Sequence, residues 1–175
     1  IATGTITNND TKSTFTASVD SPSITETDFG TKTLAFTITL DQAVSEKTNI
    51  NYQTLTSGTA TTGEDFVTAA GVVTFVKGQK VATLNISVNG DAEVEDDETI
   101  KVKFSGAGLK DEVIATGTIK NNDIAGTDSD DTINGTTDND NIKGGGGADV
   151  IDGGAGDDTI TYTGKFNDYT ITKTT

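Results

Sequence analysis

Nine aspartates and a single lysine fall between Ile124 and Thr161, and four of the aspartates keep a nine-residue beat. The beat is set by four tandem units: GTDSDDTIN from Gly126, GTTDNDNIK from Gly135, GGGGADVID from Gly144 and GGAGDDTIT from Gly153. Each has Asp at its sixth position (Asp131, Asp140, Asp149, Asp158) and Ile at its eighth (Ile133, Ile142, Ile151, Ile160). Carboxylates repeated among glycine-rich turns offer clustered oxygen ligands and nothing softer. Ca2+ suits such a set, because it takes roughly 6–8 oxygens in flexible geometry, whereas Mg2+ keeps its waters and demands a near-octahedral shell. The chain contains no His and no Cys, so zinc and copper sites built on nitrogen or sulfur are excluded.

The pattern resembles the RTX calcium-binding nonapeptide G-G-x-G-x-D-x-U-x. A glycine-rich hexamer turns the chain, since Gly accepts φ > 0 without a Cβ clash. Three extended residues follow, with the Ile pointing inward. Each coil of a two-sided parallel β-roll then uses two units, which predicts that Ile133 stacks on Ile151 and Ile142 on Ile160. The turn of Asp131 meets that of Asp149, and the turn of Asp140 meets that of Asp158. The first two units depart from the pattern at Thr127, Ser129, Thr136 and Asp138, where Asp tolerates left-handed backbone better than most residues. The competing reading is a disordered acidic linker. Unscreened like charges oppose compaction, so the segment is expected to fold only on binding metal.

Composition narrows the rest. Twenty-seven acidic residues against 12 basic ones give a formal net charge of −15, a surface that disfavours nucleic acid. No basic amphipathic stretch suits a membrane surface and no apolar run is long enough to span one. Without Cys no disulfide contributes, leaving packing and metal as staples. One Pro, 20 Gly and abundant Thr, Val and Ile favour strands over helices.

Residues 13–123 read as strands. Phe15, Ala17 and Val19 alternate, as do Leu34, Phe36, Ile38 and Leu40; Ile50 and Tyr52 follow, then 72–76, then Ala82, Leu84, Ile86 and Val88, then Ile100, Val102 and Phe104, and finally 114–119. Turn signals separate them at Asp41-Gln42, Ser57-Gly58, Lys77-Gly78, Asn89-Gly90 and 106–108. About seven short strands with such turns predict an antiparallel sandwich. Its carboxylates crowd a few places: Glu26, Asp65 in GTATTGEDF, the run Asp91, Glu93, Glu95, Asp96, Asp97 and Glu98, and Asp123.

Over nearly all of 13–123 the sequence resembles the Calx-β domain, an immunoglobulin-like sandwich of sodium–calcium exchangers and of tandem arrays in bacterial surface proteins. The motifs that carry the resemblance are SITET, SGTATTGEDF, VVTFVKGQKVATLNISV, DAEVEDDETIKV and TGTIKNND. Calcium-binding members hold their ions in loops at one end of the sandwich. The resemblance implies Glu26, Asp65, Glu95, Glu98 and Asp123 as ligands, with Asn121 and Asn122 where all-Asp versions carry charge. The competing reading is a solvated carboxylate rim with Lys partners.

The expected organisation is an all-β chain. Residues 1–12 read as the last strand of a preceding Calx-β copy, 13–123 as the sandwich, 124–125 as a linker, 126–161 as the roll and 162–175 as capping strands. The first assignment rests on IATGTITNND at 1–10 and IATGTIKNND at 114–123, which differ only at Thr7 and Lys120. Phe166, Tyr169 and Ile171 are expected to cover the open end of the roll.

No Ser-His-Asp or Cys-His set can be built without His or Cys, and the chain reads as non-catalytic. The leading expectation is a calcium-dependent extender or assembly segment of a secreted or surface-attached bacterial protein, as in RTX adhesins exported by type I secretion. Its partners would be calcium ions, neighbouring Calx-β copies and other copies of itself, with no nucleic acid and no membrane insertion. One alternative is the carboxyl-terminal calcium-dependent tail of a secreted protease or lipase, which an upstream nucleophile or zinc motif would distinguish. Another is an extracellular fibre subunit in which residues 1–10 add a strand to a neighbour's sheet; a strictly monomeric sedimentation profile would exclude it.

Overall fold

The computed structural model describes residues 14–106 and 108–162. The expected roles of 1–12 as an orphan strand and of 163–175 as a cap lie outside the described residues. No helix is present among those described, and 13 strands are.

The alternating segments form two packed sheets. The first has the order β1 (Ala17–Val19), β3 (Thr31–Leu40), β6 (Val81–Asn89), all antiparallel. The second has the order β2 (Ser23–Thr25), β8 (Val113–Lys120), β7 (Glu98–Ser105), β4 (Thr48–Leu55), β5 (Ala70–Phe75). Period-two alternation decides which residues face inward. Leu34, Phe36, Ile38 and Leu40 of β3 meet Ile50, Phe75, Ile100, Val102 and Phe104 of the opposite sheet in a core closed to solvent. The alternate residues, such as Thr33, Ala35 and Thr37, face away from that core. At Gly117 of β8 a Cβ would stand 2.6 Å from the Leu34 side chain and 2.8 Å from that of Phe36, so a glycine is what lets the sheets close there.

The structure departs from the sequence reading in one pairing. β2 runs parallel to β8, with Ile24 beside Ile119, while the other strand pairs described in the sandwich are antiparallel. Three residues after a Pro carry too little alternation to be legible as a strand.

Four three-residue strands carry the nonapeptide Ile residues: β10 (Thr132–Asn134), β11 (Asn141–Lys143), β12 (Val150–Asp152) and β13 (Thr159–Thr161). Ile133 pairs with Ile151 and Ile142 with Ile160, all in parallel register. The two-sided β-roll is therefore present with the expected stacking. Ile142 is fully buried, at its centre.

The roll begins earlier than Gly126. β9 (Asp123–Ala125) pairs in parallel with β11, placing Ile124 beside Ile142. Residues 124–125, expected as a linker, are thus a rung of the roll, and its sheets are β9-β11-β13 and β10-β12. The sequence contains the signal: Gly117 lies nine residues before Gly126, with Asn122 at the sixth position and Ile124 at the eighth of that unit. The closing strand of the sandwich runs in phase into the roll.

Candidate functional site: two facing sets of oxygen ligands

In the roll, each sixth-position Asp folds back over its own turn. Asp131 Oδ2 accepts a hydrogen bond from Thr127 N at 2.6 Å and from Thr127 Oγ1 at 3.0 Å. Asp140 Oδ2 does the same with Thr136, from N at 2.6 Å and Oγ1 at 3.2 Å. The stacked turns are tied through the later aspartates: Asp149 Oδ1 accepts from Asp131 N and Asp158 Oδ1 from Asp140 N, each at 3.1 Å. The sequence spacing of 18 residues therefore brings Asp131 to Asp149 and Asp140 to Asp158. The carboxylates of Asp149 and Asp158 thus reach the backbone of the coil beside them.

Glycine has a specific duty in these turns. Gly145 and Gly154 adopt φ of 88° and 86°, and a Cβ on them would stand 2.0 Å from Thr127 O and 2.1 Å from Thr136 O. The first two turns manage otherwise than expected. No non-glycine residue among those described has positive φ, so Thr127, Ser129, Thr136 and Asp138 follow right-handed or extended backbone. Thr127 and Thr136 hydroxyls accept from Ser129 N and Asp138 N at 3.2 and 3.1 Å, closing the turn by side-chain bonding.

At the end of the sandwich, Asp65, Glu95 and Glu98 each bring a carboxylate oxygen within 4.8 Å of the others. Asp65 is positioned by a tight turn: its N–H donates to Thr61 O at 3.0 Å, its carbonyl accepts from Asn89 N at 2.8 Å, and its carboxylate accepts from Thr61 N. Glu98 opens β7, and Glu95 hangs from the preceding loop. Glu26 follows β2 and is buried, as are Asp65 and Asp123.

Burial and like charge oppose ionisation here. Burial first, then the charges of Asp91, Glu95, Asp123 and Asp65, push Glu26 from 4.5 to about 7. Glu98 is likewise pushed to about 7, by burial and then by its hydrogen bond to Asp65 and the surrounding carboxylates. Glu95 is raised by burial and then by Asp65 and Asp91. Asp123 is raised by burial, offset in part by the nearby Asn141 amide and by Lys143. Like charges held together in this way are relieved by a cation.

Lysine supplies little of that relief: Lys143 eases Asp123 in part, but its ammonium donates to Ala92 O. The ion pair found among the described residues is Lys103–Glu112 at 3.6 Å, in the β7–β8 hairpin. Lys32 spends its ammonium on the carbonyls of Thr25 and Glu26, at 2.8 and 3.2 Å. The donor set is oxygen throughout, clustered, and short of counter-charge, which fits Ca2+. Sequence reasoning passed over Asp91 as a participant. It opens the DAEVEDDETIKV motif but was not among the implied ligands, and only the fold turns its charge toward Glu26, Glu95 and Glu98.

The two sets face one another. Thr25 Oγ1 donates to Asp138 Oδ2 at 2.9 Å, Asn122 Nδ2 donates to Asp28 Oδ1 at 2.9 Å and to Asn139 O at 3.3 Å, and Lys143 Nζ donates to Ala92 O at 3.0 Å. Between them lies a cavity of about 490 Å³ lined in part by Glu26, Asp28, Asn122, Asp138 and Asp140.

Comparison with known proteins agrees with this geometry. The Calx-beta domain family matches residues 8–125, and the RTX calcium-binding nonapeptide repeat, in four copies, matches residues 116–160. The overlap covers the strand that the sandwich and the roll share. A crystal structure of the apo-form Calx CBD1 domain is 24% identical with a TM-score of 0.51, covering 62% of this chain and 97% of that one. A crystal structure of CBD12 from CALX1.2 is 25% identical with a TM-score of 0.51, covering 66% of this chain and 50% of that one. A crystal structure of the calcium binding domain CBD12 of CALX1.1 is 24% identical with a TM-score of 0.50, covering 66% of this chain and 48% of that one. The chain thus matches about half the length of the CBD12 structures. No curated protein matches it. Both matched modules are binding modules rather than catalytic ones, and the ion is Ca2+. The chain belongs to the Calx-beta domain family, and its closing strand runs into a β-roll of RTX calcium-binding nonapeptides.

Proposed function

We propose that this chain is a calcium-dependent structural segment of a secreted or surface-attached bacterial protein, an extender or assembly module rather than an enzyme. The ions would be held by Asp131, Asp140, Asp149 and Asp158 in the roll and by Glu26, Asp65, Glu95, Glu98 and Asp123 at the end of the sandwich. The domains would be a sandwich over 13–123 and a roll over 126–161, with β9 as their common rung in place of a linker.

The observation that carries this reading is the direct continuation of β8 into β9, which sets the acidic end of the sandwich against the roll. Nine aspartates repel one another in the roll until an ion arrives. In low-calcium cytosol the segment stays unfolded, which suits export as an extended chain. Outside the cell, where calcium is about millimolar, weak extracellular sites fill and binding free energy becomes folding free energy. The same event fixes the roll to the sandwich and stiffens the array.

Small-angle scattering of the full chain, with calcium and after chelation, tests the proposal. The expected result is a compact, rigid envelope with calcium and a longer one without. An identical envelope in both conditions would contradict it.

A further inference from the structure

Four buried side-chain oxygens make no hydrogen bond of good geometry among the described residues: Asn122 Oδ1, Asp123 Oδ1, Asp123 Oδ2 and Asn141 Oδ1; the nearby Asn141 amide eases the charge of Asp123 only in part. All four belong to one place. Asn122 and Asp123 are consecutive, and Asp123 and Asn141 are register partners on the neighbouring strands β9 and β11. The three residues are 3%, 5% and 7% exposed. They are the seam at which the sandwich ends and the roll begins.

An orphaned buried oxygen is costly, and a buried carboxylate far more so. Groups of this kind are otherwise almost always satisfied, so four at one point call for an absent partner. That partner must be a donor to oxygen only. The amide nitrogen of Asn122 already serves Asp28 and Asn139. Lys143 makes its hydrogen bond to Ala92 O instead of pairing with Asp123. Asp28 adds charge close to Asp123. A cation with hard-oxygen preference fits all of these facts.

We propose that the seam binds one calcium ion through Asp123, Asn122 and Asn141, so that the roll donates a ligand to the ion site of the sandwich. The inference rests on the reading of Asp123 as a metal ligand and adds Asn141, whose place in the repeat gives no such hint. Asn141 occupies the seventh, outward position of its nonapeptide, where the other units carry Thr132, Val150 and Thr159. Those residues offer no carbonyl oxygen from the side chain, so Asn is a departure at the one unit whose outward face is covered by the sandwich. An ion shared in this way makes occupancy of the sandwich depend on a folded roll, and the reverse.

The test counts ions on the full chain by native mass spectrometry and measures affinities by calorimetry with calcium as the probe. Asn141→Thr places at the seam the residue that the same roll already carries at Thr132 and Thr159, so the roll can still fold. The expected result is one calcium fewer than wild type with circular dichroism unchanged. Asn141→Asp keeps the count and binds that ion roughly tenfold more tightly, because ligand charge tunes affinity. An Asn141→Thr protein with wild-type count and affinity overturns the shared ion and leaves the two-module reading standing. A wild-type count that drops only with Asp131, Asp140, Asp149 or Asp158 substitutions, and never with Asp65→Asn or Glu98→Gln, overturns both.

Discussion

Glu26→Gln separates the electrostatics of the calcium-free site from everything else the residue does. Glu26 is 4% exposed, and its carboxyl is pushed from 4.5 to about 7 by burial and then by Asp91, Glu95, Asp123 and Asp65. In the native state it therefore holds its proton over a range where the unfolded chain has lost it. Below about 4.5 the group is protonated in both states and contributes no pH-dependent term. Between about 4.5 and 7 stability falls as pH rises, because the native state binds more protons than the unfolded one. Above about 7 the full cost of a buried charge is present. The rise converts to about 3 kcal/mol as a ceiling, and relaxation with solvent screening brings it to about 2 kcal/mol. Gln removes the charge at nearly the same volume. In EDTA at pH 8 the variant should be more stable than wild type by about 2 kcal/mol, roughly 8 °C in the melting of the sandwich. At pH 4 the gain should vanish. With saturating calcium the order should reverse, because wild type keeps an ionic ligand that Gln lacks. Thermal melts followed by circular dichroism, at the two pH values with and without calcium, give the full comparison. A Glu26→Gln effect in EDTA that is the same at pH 4 and pH 8 would refute the reasoning.

Three further outcomes follow from the same structure. Calcium binding at pH 7 should release about one proton from the sandwich, since Glu26 and Glu98 each titrate near 7 and are each about half protonated there; calorimetry in buffers of different ionisation enthalpy reads the number, and release should fade by about pH 8.5. Ile142→Ala should cost about 2–5 kcal/mol and melt the roll while sparing the sandwich, because that side chain is fully buried between β9 and β13; residue-resolved hydrogen exchange distinguishes the two modules. Gly90→Ala should weaken calcium binding without touching a carboxylate, because its Cβ would stand 1.8 Å from Thr27 O and displace the segment that carries Glu26 and Asp28; calorimetry with calcium gives the affinity.

The sequence carried the parts of this molecule that obey a local period. Leu34, Phe36, Ile38 and Leu40 alternate because β3 is buried on one side, and the same rule makes Ile100, Val102 and Phe104 readable in β7. The nine-residue beat gave the register of Ile133 on Ile151 and of Ile142 on Ile160. What it concealed was long-range. The Ser23–Thr25 strand exists only because β8 offers it an edge. Ile124 is a rung of the roll because the sandwich strand holds Asp123 next to Asn141. Asp91 and Asp28 matter through the charges that the fold brings near them. Asn141 looks like a solvent-facing residue of a repeat, and only the docking of the roll buries it. The loop carboxylates were legible as a class, yet their mutual approach within 4.8 Å joins two distant segments, the β4–β5 loop and the approach to β7.

The most direct measurement is hydrogen exchange over residues 126–161 with saturating calcium and after exhaustive EDTA dialysis. The amides that tie the coils together, Gly126 to Lys143 O, Gly135 to Asp152 O, Val150 to Asp131 O and Thr159 to Asp140 O, mark the folded roll. They should be protected with calcium and exchange at the rate of an unfolded chain without it. Protection that survives the removal of calcium would mean that the roll holds itself together, and that the ion is not the missing half of its core.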